Sequence, residues 1–255
     1  MKKTTLIALM LASAAAAAQD NELTLSGGIA AAPRYAGSDK NQAAPLLGID
    51  YQMANGFFAS TLRGVGYGQS LGAMRMSAAL GYRGERSDSK RNGFGGSRGD
   101  AALRGMGDVK GSATAVLGAS IALSDRIAVN GNVEAPLTQR ENGRMGLLGL
   151  SATVFEGHAN RLTLGVSASA ADRKYMQTYF GVTAEQAART KFKRYTPKAG
   201  VHQADISLAW VRRIDDRWSV TTALGASTLL GDAKDSPLVQ RRTSPTAAVY
   251  ASYRY

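Results

Sequence analysis

The sequence predicts an all-β chain that closes into a single antiparallel transmembrane β-barrel of the bacterial outer membrane. Three observations carry that prediction. The chain opens with an export leader and closes on the alternating aromatics Tyr253-Arg254-Tyr255. Past the leader, apolar and polar residues alternate with little helical period. The connections between these segments alternate between short turns and long polar links, the arrangement of outer-membrane barrels.

Lys2 and Lys3 form a positive start, Leu6 to Leu11 begin an apolar run, and Ala14 to Ala18 supply small-residue cleavage sites. Residues 1–18 are therefore expected to be a signal peptide removed after Ala18, leaving 19–255 as the barrel. No later stretch reaches the ~18 apolar residues of a transmembrane helix. A chain that crosses lipid without one must close its sheet, because lipid cannot satisfy an open strand edge. The mean hydropathy of −0.17 fits a barrel whose lumen-facing residues dilute the lipid-facing ones. A soluble periplasmic protein would fit that value equally, so the connections decide.

In order, the strands are expected over Leu23 to Ile29, over Leu47 to Tyr51 and, after the tight turn Ala54-Asn55-Gly56, over Phe57 to Gly64. Ala73 to Tyr82 follows. Val109 to Leu123 ends at Ser124-Asp125-Arg126 and returns through Ile127 to Val133; Leu148 to Phe155 turns at 157–160 into Leu162 to Ala168. Val201 to Ile214 turns at Asp215-Asp216 into Trp218 to Leu224, and about Thr246 to Tyr255 closes the chain. Longer links lie at 84–104, 138–146, 172–198 and 231–245. These eleven segments conflict with the even strand number of single-chain bacterial barrels. The conflict lies before residue 72, making twelve strands the first choice and ten the second. Trp210 and Trp218 flank one turn as an interfacial girdle does, with Tyr51, Tyr82, Tyr253 and Tyr255 near other strand ends. The terminal Tyr resembles the signal read by the barrel assembly machinery.

Composition removes whole classes of function. With no cysteine there is no disulfide, thiolate metal site or thiol nucleophile. The net charge of +12 would suggest nucleic acid in a cytosolic protein, but export directs it elsewhere, to lipopolysaccharide phosphates or peptidoglycan carboxylates. Outer-membrane lipid hydrolases need a serine within reach of a histidine. Here only His158 and His202 are available; His158 has Asn160 two positions on, and His202 shares a strand face with Ala204, Ile206 and Leu208. The reading is non-enzymatic, with no catalytic residue, cofactor or metal, and His202 is expected at the interface. Gly93-Phe94-Gly95-Gly96 lacks the Gly-Lys-Ser/Thr ending of a phosphate loop.

Five segments are more specific than strand periodicity: Tyr35-Ala36-Gly37-Ser38-Asp39, Leu80-Gly81-Tyr82-Arg83, Gly105-Met106-Gly107-Asp108-Val109, Tyr179-Phe180-Gly181-Val182-Thr183 with Gln186, Ala187 and Arg189, and Gly231-Asp232-Ala233-Lys234-Asp235-Ser236-Pro237-Leu238-Val239. In this order, with a terminal aromatic, the chain resembles the MipA/OmpV family of outer-membrane proteins across essentially all of its mature length. It departs from the family pattern in the Gly/Arg-rich stretch from Arg86 to Arg104. The resemblance implies a barrel and a choice of roles. These are scaffolding between a lytic murein transglycosylase and a peptidoglycan synthase, porin-like permeability, or surface adhesion.

From the residues themselves, Gly37-Ser38-Asp39, Gly231-Asp232 and Asp235-Ser236-Pro237 read as turn formers. Thr183 with Gln186 three positions on reads as a capping box, placing a short helix through about Arg189 over or into the pore mouth. Arg189, Lys191, Lys193, Arg194 and Lys198 form a run without acids that suits lipopolysaccharide phosphates. Thr163, Gly165, Ser167, Gln203, Asp205 and Ser207 are expected to face the lumen, which at ten to twelve strands is narrow or plugged.

Overall fold

Period-two alternation sorts this chain into two faces. Ile29, Leu47, Leu80, Leu117 and Leu148 stand outward and more than half exposed, forming an apolar belt suited to lipid. Residues offset by one from these face the lumen. The computed structural model describes residues 20–89, 92–93, 96–97 and 99–255. The expected leader and part of the 84–104 link, with Lys90, Arg91, Phe94, Gly95 and Arg98, lie outside the described residues.

The strands are β1 Glu22–Pro33, β2 Asn41–Gln52, β3 Phe57–Ser60, β4 Gly64–Leu71 and β5 Met74–Arg83, then a small ribbon of β6 Asn92–Gly93 with β7 Gly96–Ser97. β8 Ser112–Ala122, β9 Ile127–Pro136, β10 Met145–Glu156, β11 Asn160–Ala171, β12 Gly200–Arg213, β13 Trp218–Leu229 and β14 Thr243–Arg254 complete the sheet. All but the ribbon close into one barrel of twelve strands, each antiparallel to its neighbours, with β1 paired to β14. The links at 53–56, 72–73, 123–126, 157–159 and 214–217 are short and lie at one end. Those at 34–40, 84–111, 137–144, 172–199 and 230–242 lie at the other. Outer-membrane barrels place their short turns in the periplasm, so the long loops are extracellular.

Twelve agrees with the first of the two expected strand numbers. The strand missing from the count is β4. Thr61-Leu62-Arg63 reverses the chain without the usual turn residues until Gly64, whose φ is +84°. Gly64, Gly66 and Gly68 then occupy its lumen face, so half of the alternation carries no side chain.

The four-residue β3 also notches the wall. β2 pairs with β3 only from Asp50↔Ser60 to Gln52↔Phe58, while Thr61 closes the ladder by donating its amide to Ile49 O at 2.9 Å. Above that point no barrel strand pairs with this edge of β2 among the described residues. Pro45, four residues from Ile49, turns its missing N–H toward the same side. There a central-strand proline would otherwise break a ladder bond.

A second departure is at His202. The register between β11 and β12 shifts from Ser169↔Gln203 to Ala170↔Val201, leaving His202 as the extra residue of a bulge. The bulge turns it off the face of Ala204 and Ile206 and buries it at 2% exposure. The expected interfacial position is therefore corrected. The other alternating positions hold: Thr163, Gly165, Ser167, Asp205 and Ser207 do face inward, alongside more exposed outward neighbours.

Candidate functional site

Among the described residues three α-helices occupy the long loops: α1 Arg173–Phe180, α2 Ala184–Arg189 and α3 Gly231–Lys234. Asp172 starts α1 by accepting the Tyr175 amide at 2.8 Å. Met176 and Phe180, one turn apart, bury its inner face against Ala171 and Leu229 at the upper ends of the strands and against Ala233 of α3. The capping box of α2 is present: Thr183 Oγ1 accepts the Gln186 amide at 3.2 Å and Gln186 Oε1 accepts the Thr183 amide at 2.9 Å. The sequence identified α2. It missed α1, although Asp172 followed by apolar residues at helical spacing was an available signal. Gly231-Asp232, expected as turn formers, open one helical turn that runs to Lys234.

These pieces form a cap. Tyr35 from the 34–40 loop, Leu103 and Met106 from the 84–111 loop, Val182 from the 172–199 loop and Leu238 from the 230–242 loop share one buried apolar cluster. The strands that carry these loops are spread around the circumference, from β1 and β2 through β13 and β11 to β5 and β8. Loops rooted so far apart can meet only by crossing the mouth.

Many of the loop residues singled out in the sequence take part in the hydrogen bonds that fasten this cap. The Tyr35 hydroxyl donates to Leu238 O at 3.0 Å. Gly37 O accepts from the amides of Gln240 and Arg241 at 2.7 and 3.0 Å, and Gly37 itself sits at φ +97°. Ser38 Oγ donates to Asp100 Oδ2, which also lies 3.6 Å from Arg34. Asp108 Oδ1 accepts from Ser87 Oγ and from the Asp88 amide, and the Gly107 amide donates to Asp88. Gln186 Nε2 donates to Met106 O at 2.7 Å, and Ser236 Oγ donates to Phe180 O at 2.6 Å. Tyr195 Oη donates to Asp232 O and the Lys198 amide donates to Asp232 Oδ2. Gly181 ends α1 with its amide on Gln177 O. Pro237 follows Ser236 within this last loop, while Asp39 and Asp235 stand on the exposed surface, Asp235 pairing with Arg242.

Electrostatics follow from burial. Desolvation pushes the Tyr35 phenol up to about 12, with Asp100 and Asp39 adding to it. Burial lowers the Arg86 guanidinium and raises the Tyr175 and Tyr179 phenols. Arg86 holds the end of α1, donating Nη1 to Tyr179 O at 2.8 Å and Nη2 to Thr178 O at 3.1 Å. In the sequence Arg86 stands only as the start of a Gly/Arg-rich stretch.

Of the five expected anion-contacting residues, Arg189 is tied inward by a bond from Nε to Gly105 O at 2.7 Å. Lys191 lies 5.6 Å from the Phe192 ring. Lys193, Arg194 and Lys198 are exposed, and no ion pair engages any of the five among the described residues. No cluster of potential metal ligands occurs among the described residues.

No curated protein matches the chain. Among solved structures it is similar to the KdgM porin, at 9% identity and a TM-score of 0.46, covering 90% of this chain and 98% of that one. It is also similar to the outer membrane channel DcaP of Acinetobacter baumannii, at 10% identity and a TM-score of 0.42, covering 92% and 96%. The family model described as MltA-interacting protein MipA matches residues 25–255, which takes in the whole barrel but for the first residues of β1. This is an outer-membrane barrel protein, and the chain belongs to the MipA family.

Proposed function

We propose that the protein is a capped, non-enzymatic barrel that anchors a lytic murein transglycosylase, together with a peptidoglycan synthase, at the inner face of the outer membrane. The cap is the observation that carries this reading. Four loops fastened across the mouth disfavour steady transport and leave the periplasmic rim as the working surface. That rim is charged and exposed, with Arg126, Glu156, Arg213, Asp216 and Arg217 around the short turns, as a polar partner requires. The family's name records an interaction with a transglycosylase, and its members' shared fold makes the same partner class the natural one here. The leader 1–18 is removed on export in this reading, and the Tyr255 end is the segment handled by the barrel assembly machinery. His202, the better-placed histidine, is walled by Tyr175 and Phe180 at 5.1 and 6.0 Å between ring centres, which leaves it poorly placed to activate a hydroxyl.

The test pairs two measurements on refolded protein: planar-bilayer conductance, and surface binding of a purified lytic murein transglycosylase. A silent barrel with saturable binding is expected. Discrete conductance steps without binding would sink the anchor reading and favour a narrow channel. The small polar lumen lining of Thr163, Gly165, Ser167 and Ser207 supports that second reading. Outward lipopolysaccharide contact through Lys191, Lys193, Arg194 and Lys198 is compatible with either.

A further inference from the structure

Where the first and last strands meet, the lipid-facing wall is not even. Outward residues form cross-strand rows there: Leu25, Tyr253 and Trp218 in one, Gly27, Ala251 and Val220 in the next, and Ile29, Val249 and Thr222 beyond. The middle row carries only small residues on β1 and β14. Around it, Ile29 stands 65% exposed, and Leu47, the partner of Gly27 on β2, stands 63% exposed. A Cβ added at Gly27 would meet nothing within 4 Å. The result is a hollow of about 470 Å³ lined by Leu25, Gly27, Ala251, Trp218, Tyr253 and Tyr255. That volume falls within the roughly 300–1,000 Å³ of small-molecule sites.

The aromatic side of the hollow is its periplasmic side. The Tyr253 ring stands edge-on to Trp218 at 4.9 Å and to Tyr255 at 4.6 Å between centres. These rings lie beside the short 214–217 turn, at the depth where an aromatic belt meets lipid headgroups. The turn supplies charge of both signs. Arg217 Nη1 donates to the Tyr253 hydroxyl at 3.1 Å, and no salt bridge engages Arg217 among the described residues. Beside it, Asp215 Oδ1 accepts the amides of Arg217 and Trp218 at 2.8 and 2.7 Å, while Oδ2 has no donor among the described residues. The exposed Asp216 is the second acid here, and the exposed Arg212, which follows Val220 in the middle row, is the second cation. The other guanidinium groups nearby are engaged. Arg254 lies 3.8 Å from Glu22 and donates to Asp216 O at 2.9 Å, and Arg213 donates to His158 O. An apolar trough thus meets a headgroup-level turn in which two cations balance two acids.

We propose that this hollow binds one phospholipid of the periplasmic leaflet, with a phosphoethanolamine headgroup. One acyl chain fills the trough over Gly27 and Ala251, where an unfilled gap would forfeit dispersion contacts. The phosphate lies on the Arg217 guanidinium, whose fork suits its oxygens, and the ammonium lies at Asp215. Lipid tails are as apolar as the strand surface, so the trough selects shape and the turn selects the headgroup. A zwitterion matches the balanced charges of the turn better than an anionic lipid does. The site stands on the outer wall, apart from the cap and the lumen, and holds whether or not the anchor reading does.

The experiment is fluorescence quenching of refolded protein in detergent by phospholipids brominated on their acyl chains. A Trp210→Phe background leaves Trp218 as the single tryptophan. Heat-modifiable gel mobility verifies that each variant keeps its barrel. Quenching by brominated phosphatidylethanolamine should saturate at low lipid content, and brominated phosphatidylglycerol should need about fivefold more, the limit of an exposed ion pair. Gly27→Leu, whose side chain takes the space of the acyl chain, should abolish saturation. Arg217→Gln should weaken phosphatidylethanolamine binding about fivefold. Asp215→Asn should erase its advantage over phosphatidylglycerol. If Gly27→Leu does not fold, Ala251→Leu fills the same space from β14. Quenching that is absent or rises in proportion to every lipid alike, saturation that survives Gly27→Leu, or a preference for phosphatidylglycerol would each overturn the proposal. So would a dimer in sedimentation equilibrium that Gly27→Leu dissociates, because it would give the hollow to a second copy of the chain.

Discussion

The Tyr35 hydroxyl reaches the Leu238 carbonyl at 3.0 Å across 203 residues of chain, fastening the first extracellular loop to the last. Tyr35→Phe removes the donor and leaves the buried carbonyl unpaired, which costs about 1–2 kcal/mol. The barrel should survive while the cap loosens. Faster cleavage within the extracellular loops by an added protease, at unchanged heat-modifiable mobility, is the expected result.

The same tyrosine makes the cap sensitive to alkali. Burial holds its phenol protonated up to about 12, above the unfolded value of 10.0. Its contribution is therefore complete below pH 10 and lost as pH rises from there through 12, at up to about 1.4 kcal/mol per pH unit. Ultraviolet titration should show several late phenol steps, of which Tyr35→Phe removes one and leaves those of the buried Tyr175 and Tyr179. A wild-type profile without a late step would refute this.

Arg86 is the main restraint on α1. Arg86→Met preserves bulk but strands the carbonyls of Thr178 and Tyr179, at a cost of about 3 kcal/mol for charged hydrogen bonds. The variant should open intermittently, giving conductance steps in a planar bilayer where the anchor reading expects none from wild type.

Gly37→Ala tests the local backbone. At φ +97° an alanine is strained, and its Cβ would stand 2.7 Å from Val239 Cγ2. A loss of about 1–3 kcal/mol is expected. Hydrogen exchange would report it at the Gln240 and Arg241 amides, which donate to Gly37 O.

Replacing Lys191, Lys193, Arg194 and Lys198 with Gln should weaken attachment of lipopolysaccharide at low salt and leave little difference at 1 M, where exposed charges are screened beyond about 3 Å. Equal attachment at both salt concentrations would contradict a role for these exposed charges.

Much of this architecture was legible because a barrel writes itself in period two. Leu117 and Leu148 face lipid at the positions that alternation assigned, and Asn55-Gly56 turns where a tight hairpin was expected, with Gly56 at φ +95°. What escaped was whatever lacks a period. β4 hides because glycine leaves no signature on its inner face, and the bulge at His202 reverses a side chain without changing the sequence pattern. The cap was visible only as separate motifs. Tyr35, Gln186 and Ser236 each look like local turn or helix chemistry, and only the closed sheet brings their loops to one place. Arg86 escaped because a charged residue in a polar link reads as solvated, whereas its partners are carbonyls more than ninety positions away.

The short β3 has a consequence for how the molecule is wired. Three residue pairs join β2 to β3, whereas eight join β1 to β14, the first and last strands, and the Tyr255 amide donates to Leu23 O at 2.9 Å. The first and last strands thus form a well-stitched joint, and the thinnest joint lies one hairpin further on. A circular permutant that links the native ends and begins at Gly56 would start with β3 and finish with β2. Its assembly would then have to complete the wall through its least-bonded pair, separating the role of the terminal aromatic from that of the final strand it ordinarily belongs to.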